Sequence, residues 1–330
     1  MPKLLITKKT NLNYLTGFSG SKGCLILGPT NFFFTDSRYA EIAQKLAEKP
    51  CRIPFKFIEV NEDFPTALKK CIGKSKVVEF EPSDLTVDEL NRWKKRLKGI
   101  KLIPQKQTID EKRKIKDSKE IKLLHISQKL NLKAMERTRI LLKPGVTELE
   151  IAWLIKKLAH DLGADDVSFE PIVAFGSHSA IPHHQNTSRR LKKTDIALID
   201  MGIKYKGYLS DLTRTHFIGK PSSEQNAVFE KVLSAQKAAI KAIKPGIKAS
   251  SVDKIARKTM GEDEKYFTHG LGHGVGLEIH EAPSLSSKSL DMLKKGMVVT
   301  VEPGIYLPGK FGVRIEDMGL ICAEGLKLLN

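Results

Sequence analysis

Asp200 and Asp211 are the first residues of this chain whose placement suggests chemistry. The apolar run Ile196-Ala197-Leu198-Ile199 ends on Asp200, a Gly-containing turn follows, and a second extended segment returns Asp211 beside it. Two acids held together in a partly dry cleft repel each other unless a cation lies between them or one keeps a proton. A surface hairpin with two solvated aspartates is the bland alternative, and the rest of the chain weighs against it.

The pattern occurs twice. Leu191-Lys192-Lys193, leading to Asp200, aligns with Leu293-Lys294-Lys295, leading to Glu302, so Asp200 falls on Glu302 and Asp211 close to Glu316. Upstream, Lys143-Pro144-Gly145 is echoed by Lys244-Pro245-Gly246, each followed by an amphipathic segment. A spacing of about a hundred residues is too long for a solenoid period, so the halves read as a duplicated α/β unit. Packed about a pseudo-twofold axis, the copies bring four carboxylates to one cleft. The stretch His269 to His280 carries three histidines, and its four glycines let the backbone approach a site closely. One imidazole amid four carboxylates suits a hard or borderline divalent cation better than a cysteine-rich zinc cage. That many acids suggests two ions sharing bridging oxygens, the arrangement of hydrolytic centres.

The elements that must position these groups come from an ordinary globular composition. With 330 residues, 41% hydrophobic and 28% charged, the chain is long enough for two domains with cores of their own. No apolar run reaches membrane-spanning length and the first residues are too few for a signal peptide, so a cytoplasmic setting with no membrane partner is expected. Cys24, Cys51, Cys71 and Cys322 are scattered, as reduced thiols would be. The net charge of +18 comes from lysines spread along the whole length without any nucleic-acid motif, so no specific nucleic-acid partner is expected.

Residues 1–112 read as a separate α/β domain. Strands are expected at Leu4–Ile6, Gly23–Leu27, Phe32–Thr35, Phe55–Ile58, Lys76–Phe80 and Ile100–Ile103, with helices at Tyr39–Glu48, Pro65–Cys71 and Asp84–Leu97. Asp110 to Asp117 reads as a charged connector. Asp117-Ser118-Lys119-Glu120 then starts a long helix that Lys143-Pro144-Gly145 breaks.

Taken together, Asp200-x-Gly202, Gly207-Tyr208-x-x-Asp211-x-Thr213-Arg214-Thr215, His269-Gly270-x-Gly272-His273, Val301-Glu302-Pro303-Gly304-Ile305-Tyr306 and Val313-Arg314-Ile315-Glu316-Asp317 resemble the pita-bread metallopeptidases, the family of aminopeptidase P, prolidase, methionine aminopeptidase and creatinase. Tyr14 to Gly20 and Phe34 to Tyr39 are similar to segments of the creatinase-type N-terminal domain. The resemblance covers nearly the whole chain. It implies an α/β (α+β) fold, with a small creatinase-like domain over 1–112 and a duplicated pita-bread catalytic domain over 113–330.

Carried over residue by residue, the resemblance makes Asp200, Asp211, His273, Glu302 and Glu316 the ligands of two divalent metal ions, with Asp211 and Glu316 bridging. Manganese is favoured, with cobalt, zinc or iron as alternatives. A bridging water, acidified to hydroxide near neutral pH, is the expected nucleophile. His183 becomes a catalytic imidazole that contacts substrate, His280 a histidine bonded to the scissile region, and His269 a wall of the proline side. Glu302 doubles as general base. Arg314 and Tyr306 are assigned to the proline pocket, an ion pair steadying an acid being the alternative for Arg314. His184 reads as a wall residue, and His125, His160, His178 and His216 as structural or solvated. The chain departs from many relatives at Gln185-Asn186-Thr187, where they carry a proline before the Thr or Ser, and in a short segment before its first strand.

The implied reaction is hydrolysis of an Xaa-Pro imide bond by a homodimeric aminopeptidase acting on peptides whose second residue is proline. Prolidase, confined to Xaa-Pro dipeptides and needing a cation for the product carboxylate, is the alternative. A retired pita-bread binding module is a third reading, weakened by retention of all five ligand types. Methionine aminopeptidase is disfavoured by the N-terminal domain, and creatinase by the complete ligand set.

Overall fold

A computed structural model describes residues 3–105 and 108–329. The chain divides into two compact units, Met1–Arg113 and Lys114–Asn330.

In the first unit, short apolar runs bounded by turns form β1 (Lys3–Ile6), β2 (Cys24–Leu27), β3 (Phe32–Thr35), β4 (Lys56–Glu59), β5 (Val77–Phe80) and β6 (Lys101–Pro104). They make one mixed sheet in the order β4-β3-β2-β1-β5-β6. Helices α1 (Lys9–Thr16), α2 (Ala40–Ala47), α3 (Phe64–Ile72), α4 (Val87–Arg96) and α5 (Thr108–Lys114) accompany it. Two of these helices differ from the sequence expectation. Helix α1 was not anticipated: it has no acidic first turn and no side-chain cap, and it ends on Gly17 at φ 79°. The charged stretch from Asp110 is helical as far as Lys114 rather than an irregular connector. Its first-turn acids Asp110 and Glu111 complement the helix dipole. Ile109 is buried in the core, and Arg113 donates to Asn11 Oδ1 (2.9 Å) and Asp110 Oδ1 (3.1 Å).

The second unit is built twice over. Its first half contains α6 (Ser118–Leu141), α7 (Glu148–Asp161), β7 (Asp166–Val167), β8 (Ile172–Phe175), β9 (Ile196–Met201), β10 (Ile203–Tyr205), β11 (Tyr208–Leu209) and β12 (Leu212–Phe217). The second contains α8 (Ser223–Ala242), α9 (Ala249–Met260), β13 (Gly272–Gly274), β14 (Glu281–Leu285), β15 (Val298–Val301), β16 (Gly304–Leu307), β17 (Phe311–Arg314), β18 (Asp317–Ile321) and β19 (Leu326–Leu328). The antiparallel row β12-β9-β8 of one half corresponds to β18-β15-β13 of the other.

The Lys-Pro-Gly turns do the same work in both copies. Gly145 N–H donates to Leu191 O and Gly246 N–H to Leu293 O, both at 2.8 Å. Both glycines sit at positive φ, 101° and 88°, where a side chain would be strained. Each half has its own core: Ile151, Ile155, Phe175, Ile199 and Leu212 in the first, Val232, Val252, Val299, Val301 and Val313 in the second, all fully buried. Burying each such side chain contributes about 1.5–3 kcal/mol. Helix α6 starts where expected, with Asp117 Oδ1 accepting from Lys119 N–H and Glu120 N–H while Glu120 caps Asp117 N–H in return. No helix among the described residues is long and apolar enough to cross a membrane.

Candidate metal centre and its cleft

Strand periodicity aims the acids at the centre of the second unit. Along β9, Ala197, Ile199 and Met201 face the helix-side core, so Leu198 and Asp200 face the other way. On β12 the inward set is Thr213 and Thr215, with Thr213 in register opposite Asp200 and Asp211 just before the strand. The connection between β9 and β12 is itself a hairpin of β10 and β11, turned at Lys206 and Gly207, rather than the simple turn read from sequence. In the other half, Val299 and Val301 enter the core while Thr300 and Glu302 face the centre. Thr300 Oγ1 accepts from His273 N–H (3.1 Å). Gly272 allows this approach, because a Cβ there would lie 2.2 Å from Thr300 O.

The four acids and one histidine singled out from the sequence converge on one cleft. His273 Nε2 lies 3.5 Å from Asp211 Oδ2 and 3.4 Å from Glu302 Oε1. Asp211, His273 and Glu316 each offer a ligand atom, all within 4.8 Å of one another. Asp200 Oδ1, Asp211 Oδ1 and Glu316 Oε1 are buried without any hydrogen-bond partner. Burial, reinforced by the charges of their neighbours Asp200 and Glu302, pushes Asp211 well above the carboxylate range. Glu316 is raised the same way by burial and by Asp211. Glu302 is pushed up to about 7, again mainly by burial.

The tautomer of His273 is fixed by its neighbours. Its Nδ1 faces Gly274 O at 3.1 Å, and a carbonyl can only accept, so Nδ1 carries the proton. The Nε2 lone pair therefore points at two carboxylates. Such an arrangement is repulsive as it stands and suits a cation held between these groups, the usual mode of a metal-binding histidine whose other nitrogen donates to a carbonyl. A donor set of carboxylate oxygens and one imidazole fits divalent cations.

A second layer holds these groups. Arg314 Nη2 donates to Asp200 Oδ2 (2.6 Å), Nε to Thr213 Oγ1 (3.1 Å), and Nη1 to Tyr306 OH (2.8 Å) and Pro182 O (3.3 Å). Thr213 in turn donates to Glu316 Oε2 (2.8 Å). Tyr306 OH, which accepts from Arg314, lies 2.8 Å from His269 Nε2, while His269 Nδ1 faces Gly270 O at 2.8 Å. Every proton in this relay has one place to be: Arg314 to Tyr306, Tyr306 to His269, His269 to Gly270. Burial and the Arg314 cation lower His269 to about 3, so it stays neutral with both nitrogens engaged. Tyr306 is buried behind the cleft rather than on its surface.

The cleft itself encloses about 480 Å³. All five ligand candidates line it, as do His183, His269, His280 and Arg314, together with the apolar Phe169 and Ile172. His280 stacks edge-on against His273, centroids 4.4 Å apart, and burial lowers its pKa.

One group has no counterpart in the sequence reading. Glu148, fully buried at the start of α7, takes donors from both His178 Nδ1 (2.8 Å) and His184 Nε2 (2.9 Å). Burial opposes its ionisation, but those imidazoles, Phe175 N–H and Thr187 outweigh it and keep the carboxyl below its ordinary range. His178 and His184 are therefore bonded side chains of the framework. A second acid directly after the N-cap Thr147, besides the Glu150 that the capping box uses, is the local signal that could have pointed to it.

A duplicated α/β unit that gathers acids from both halves around one histidine is the pita-bread metallopeptidase architecture. Residues 122–323 match metallopeptidase family M24, and residues 3–115 match the creatinase/prolidase N-terminal domain. The chain belongs to metallopeptidase family M24. It is 36% identical over 331 residues to an Xaa-Pro dipeptidase of Pyrococcus horikoshii, spanning 99% of this chain and 92% of that protein. Among solved structures, an Xaa-Pro dipeptidase from Bacillus anthracis superposes with a TM-score of 0.94 at 33% identity, over 99% of this chain and 92% of that one. An X-Pro aminopeptidase from Thermotoga maritima superposes at 0.91 and 33% identity, over 100% and 95%.

Proposed function

We propose that this chain is a prolidase: a metal-dependent peptidase that hydrolyses the imide bond of Xaa-Pro dipeptides. The observation that carries the metal-dependent part is the His273 lone pair facing the carboxylates of Asp211 and Glu302, beside buried oxygens of Asp200, Asp211 and Glu316 that have no hydrogen-bond partner. The dipeptide part is supported by the similarity to proteins named Xaa-Pro dipeptidase, which favours it over the aminopeptidase reading drawn from the N-terminal motifs. The Thermotoga maritima neighbour supports aminopeptidase action on longer peptides as the second reading. The resemblance also leaves a homodimer and a cytoplasmic setting as proposals.

Asp200, Asp211, His273, Glu302 and Glu316 would hold two divalent ions, manganese first among those an oxygen-rich shell suits, then cobalt, zinc or iron. When bound, such ions supply Lewis-acid polarisation of the scissile carbonyl and an acidified water. Glu302 lines the cleft beside His273 and is placed to accept the proton of the attacking water. As the C–N bond breaks, the proline nitrogen must gain a proton, and His183 and His280 are the cleft imidazoles free to donate one. His269 is unsuited to that task because both its nitrogens are engaged; it presents its ring to the proline side. All three Arg314 nitrogens donate within the protein, so Arg314 supports Asp200; Ser284 Oγ donates to Ser286 Oγ (3.3 Å), which leaves the Ser286 hydroxyl proton to receive a dipeptide carboxylate.

The test compares turnover of Xaa-Pro with Xaa-Pro-Yaa by the manganese-loaded protein. Dipeptide cleavage with little action on the tripeptide is expected. Preference for the longer peptide would replace prolidase by aminopeptidase, and failure on both would remove the proposal.

A further inference from the structure

Glu148 does not line the cleft, yet its contacts surround a residue that does. Two of its donors precede His183 in the chain: Phe175 N–H (2.9 Å) and His178 Nδ1 (2.8 Å). The other three follow it: His184 Nε2 (2.9 Å), Thr187 N–H (3.0 Å) and Thr187 Oγ1 (2.7 Å). The segment that carries His183 therefore leaves one carboxylate and returns to it.

The same turn is pinned elsewhere. Pro182 O accepts from Arg314, and Ser179 Oγ accepts from Gly312 N–H (2.8 Å) while donating to Gly176 O (2.6 Å). Asn186 donates to Pro171 O (2.7 Å) and accepts from Val173 N–H (2.8 Å), tying the turn to β8, whose first residue Ile172 lines the cleft. These side-chain bonds hold the Gln185-Asn186-Thr187 stretch, which contains no proline to stiffen it. Ile181 is 52% exposed, so packing alone holds this segment weakly.

Glu148, His178 and His184 have the spacing of a metal site. Their chemistry is different. A carboxylate has about four lone-pair positions, and five protein N–H and O–H donors already fill them. The cluster is a hydrogen-bond clamp.

We propose that Glu148 is a positioning residue for His183, its buried carboxylate closing the turn from Phe175 to Thr187 so that the His183 imidazole enters the cleft at one fixed angle. The inference deepens the proposed activity and rests on the reading of His183 as a substrate-contacting group.

The test uses full-length, manganese-loaded protein and an Xaa-Pro dipeptide. Glu148→Gln turns an NH₂ group toward incoming donors. It is expected to lower kcat roughly 10- to 100-fold while KM stays within about threefold, the signature of a misplaced catalytic group. In a His183→Ala background the same change should alter kcat by less than about twofold. His184→Leu removes one donor and should act as a milder version. His184→Gln, whose Nε2 can donate in place of the imidazole, should restore the rate.

Amide exchange over 181–187 reads the clamp without substrate: protection should fall in Glu148→Gln and His184→Leu and persist in His184→Gln. Equal losses with and without His183, or lost turnover with protection of this turn unchanged, would overturn the proposal. If Glu148→Gln does not fold, the two His184 variants decide by the same criteria. A wild-type protein inactive on Xaa-Pro but showing this exchange pattern would sink the proposed activity and support the clamp.

Discussion

Replacing Arg314 by Met removes the cation bonded to Asp200 while keeping an unbranched stem that reaches about as far as Nε. The pair is nearly dry, with side-chain exposures of 4% for Arg314 and 14% for Asp200 at 2.6 Å. Breaking a buried pair from one side costs about 3–5 kcal/mol, because the remaining charge is left uncompensated. At about 2–4 °C per kcal/mol for a unit of this size, the metal-stripped variant should melt roughly 6–20 °C below wild type by calorimetry. Divalent manganese should recover part of the loss, since a cation among the acids compensates Asp200 from its unpartnered Oδ1 side. A loss below about 1 kcal/mol would contradict the view that Arg314 supports Asp200, given the size expected for a buried pair. A loss of normal size untouched by manganese would contradict the placement of Asp200 beside a metal.

Three further outcomes follow from the same geometry. Asp211→Asn should lower turnover by roughly 100- to 1000-fold or more, the scale for losing one charge-stabilising group, with an unchanged far-ultraviolet circular dichroism spectrum; near-normal rates would exclude a role for Asp211 at the reacting centre. Tyr306→Phe removes the hydroxyl that bonds both Arg314 and His269 and should cost roughly 5- to 30-fold in kcat/KM, the range for one to two ordinary hydrogen bonds, with a larger effect on proline than on alanine substrates. Because Glu302 titrates near 7 when folded and near 4.5 when unfolded, the stripped folded state holds a proton the unfolded state releases. Its contribution to stability is therefore lost as pH rises from about 4.5 to 7, on the order of 3 kcal/mol, and urea unfolding of stripped Glu302→Gln should show a smaller decline, the raised Asp211 and Glu316 keeping the rest.

The acids of the centre were legible because duplication repeats them: Asp200 and Glu302 end corresponding strands, and Lys-Pro-Gly turns make the same bond in each half. Helix α6 was legible from its own first turn, where Asp117 and Glu120 cap each other. Helix α5 was not, since a run of charges with one buried anchor, Ile109, looks like a solvated connector. Glu148 was hidden for a different reason. Its partners lie 27 to 39 residues downstream, and the adjacent Thr147–Glu150 capping box already accounts for an acid at that helix start. Tyr306 shows the limit of carrying a residue over by resemblance: the motif gives its place on the strand but not that the hydroxyl is taken up by Arg314 and His269 behind the cleft.

These buried acids should form a two-ion centre when metal is supplied. The direct measurement titrates manganese into fully stripped protein while following both bound metal and Xaa-Pro hydrolysis. Activity should rise from near zero and level off as two ions bind per chain. Undiminished hydrolysis by the stripped protein, or full activity with no manganese bound, would contradict it.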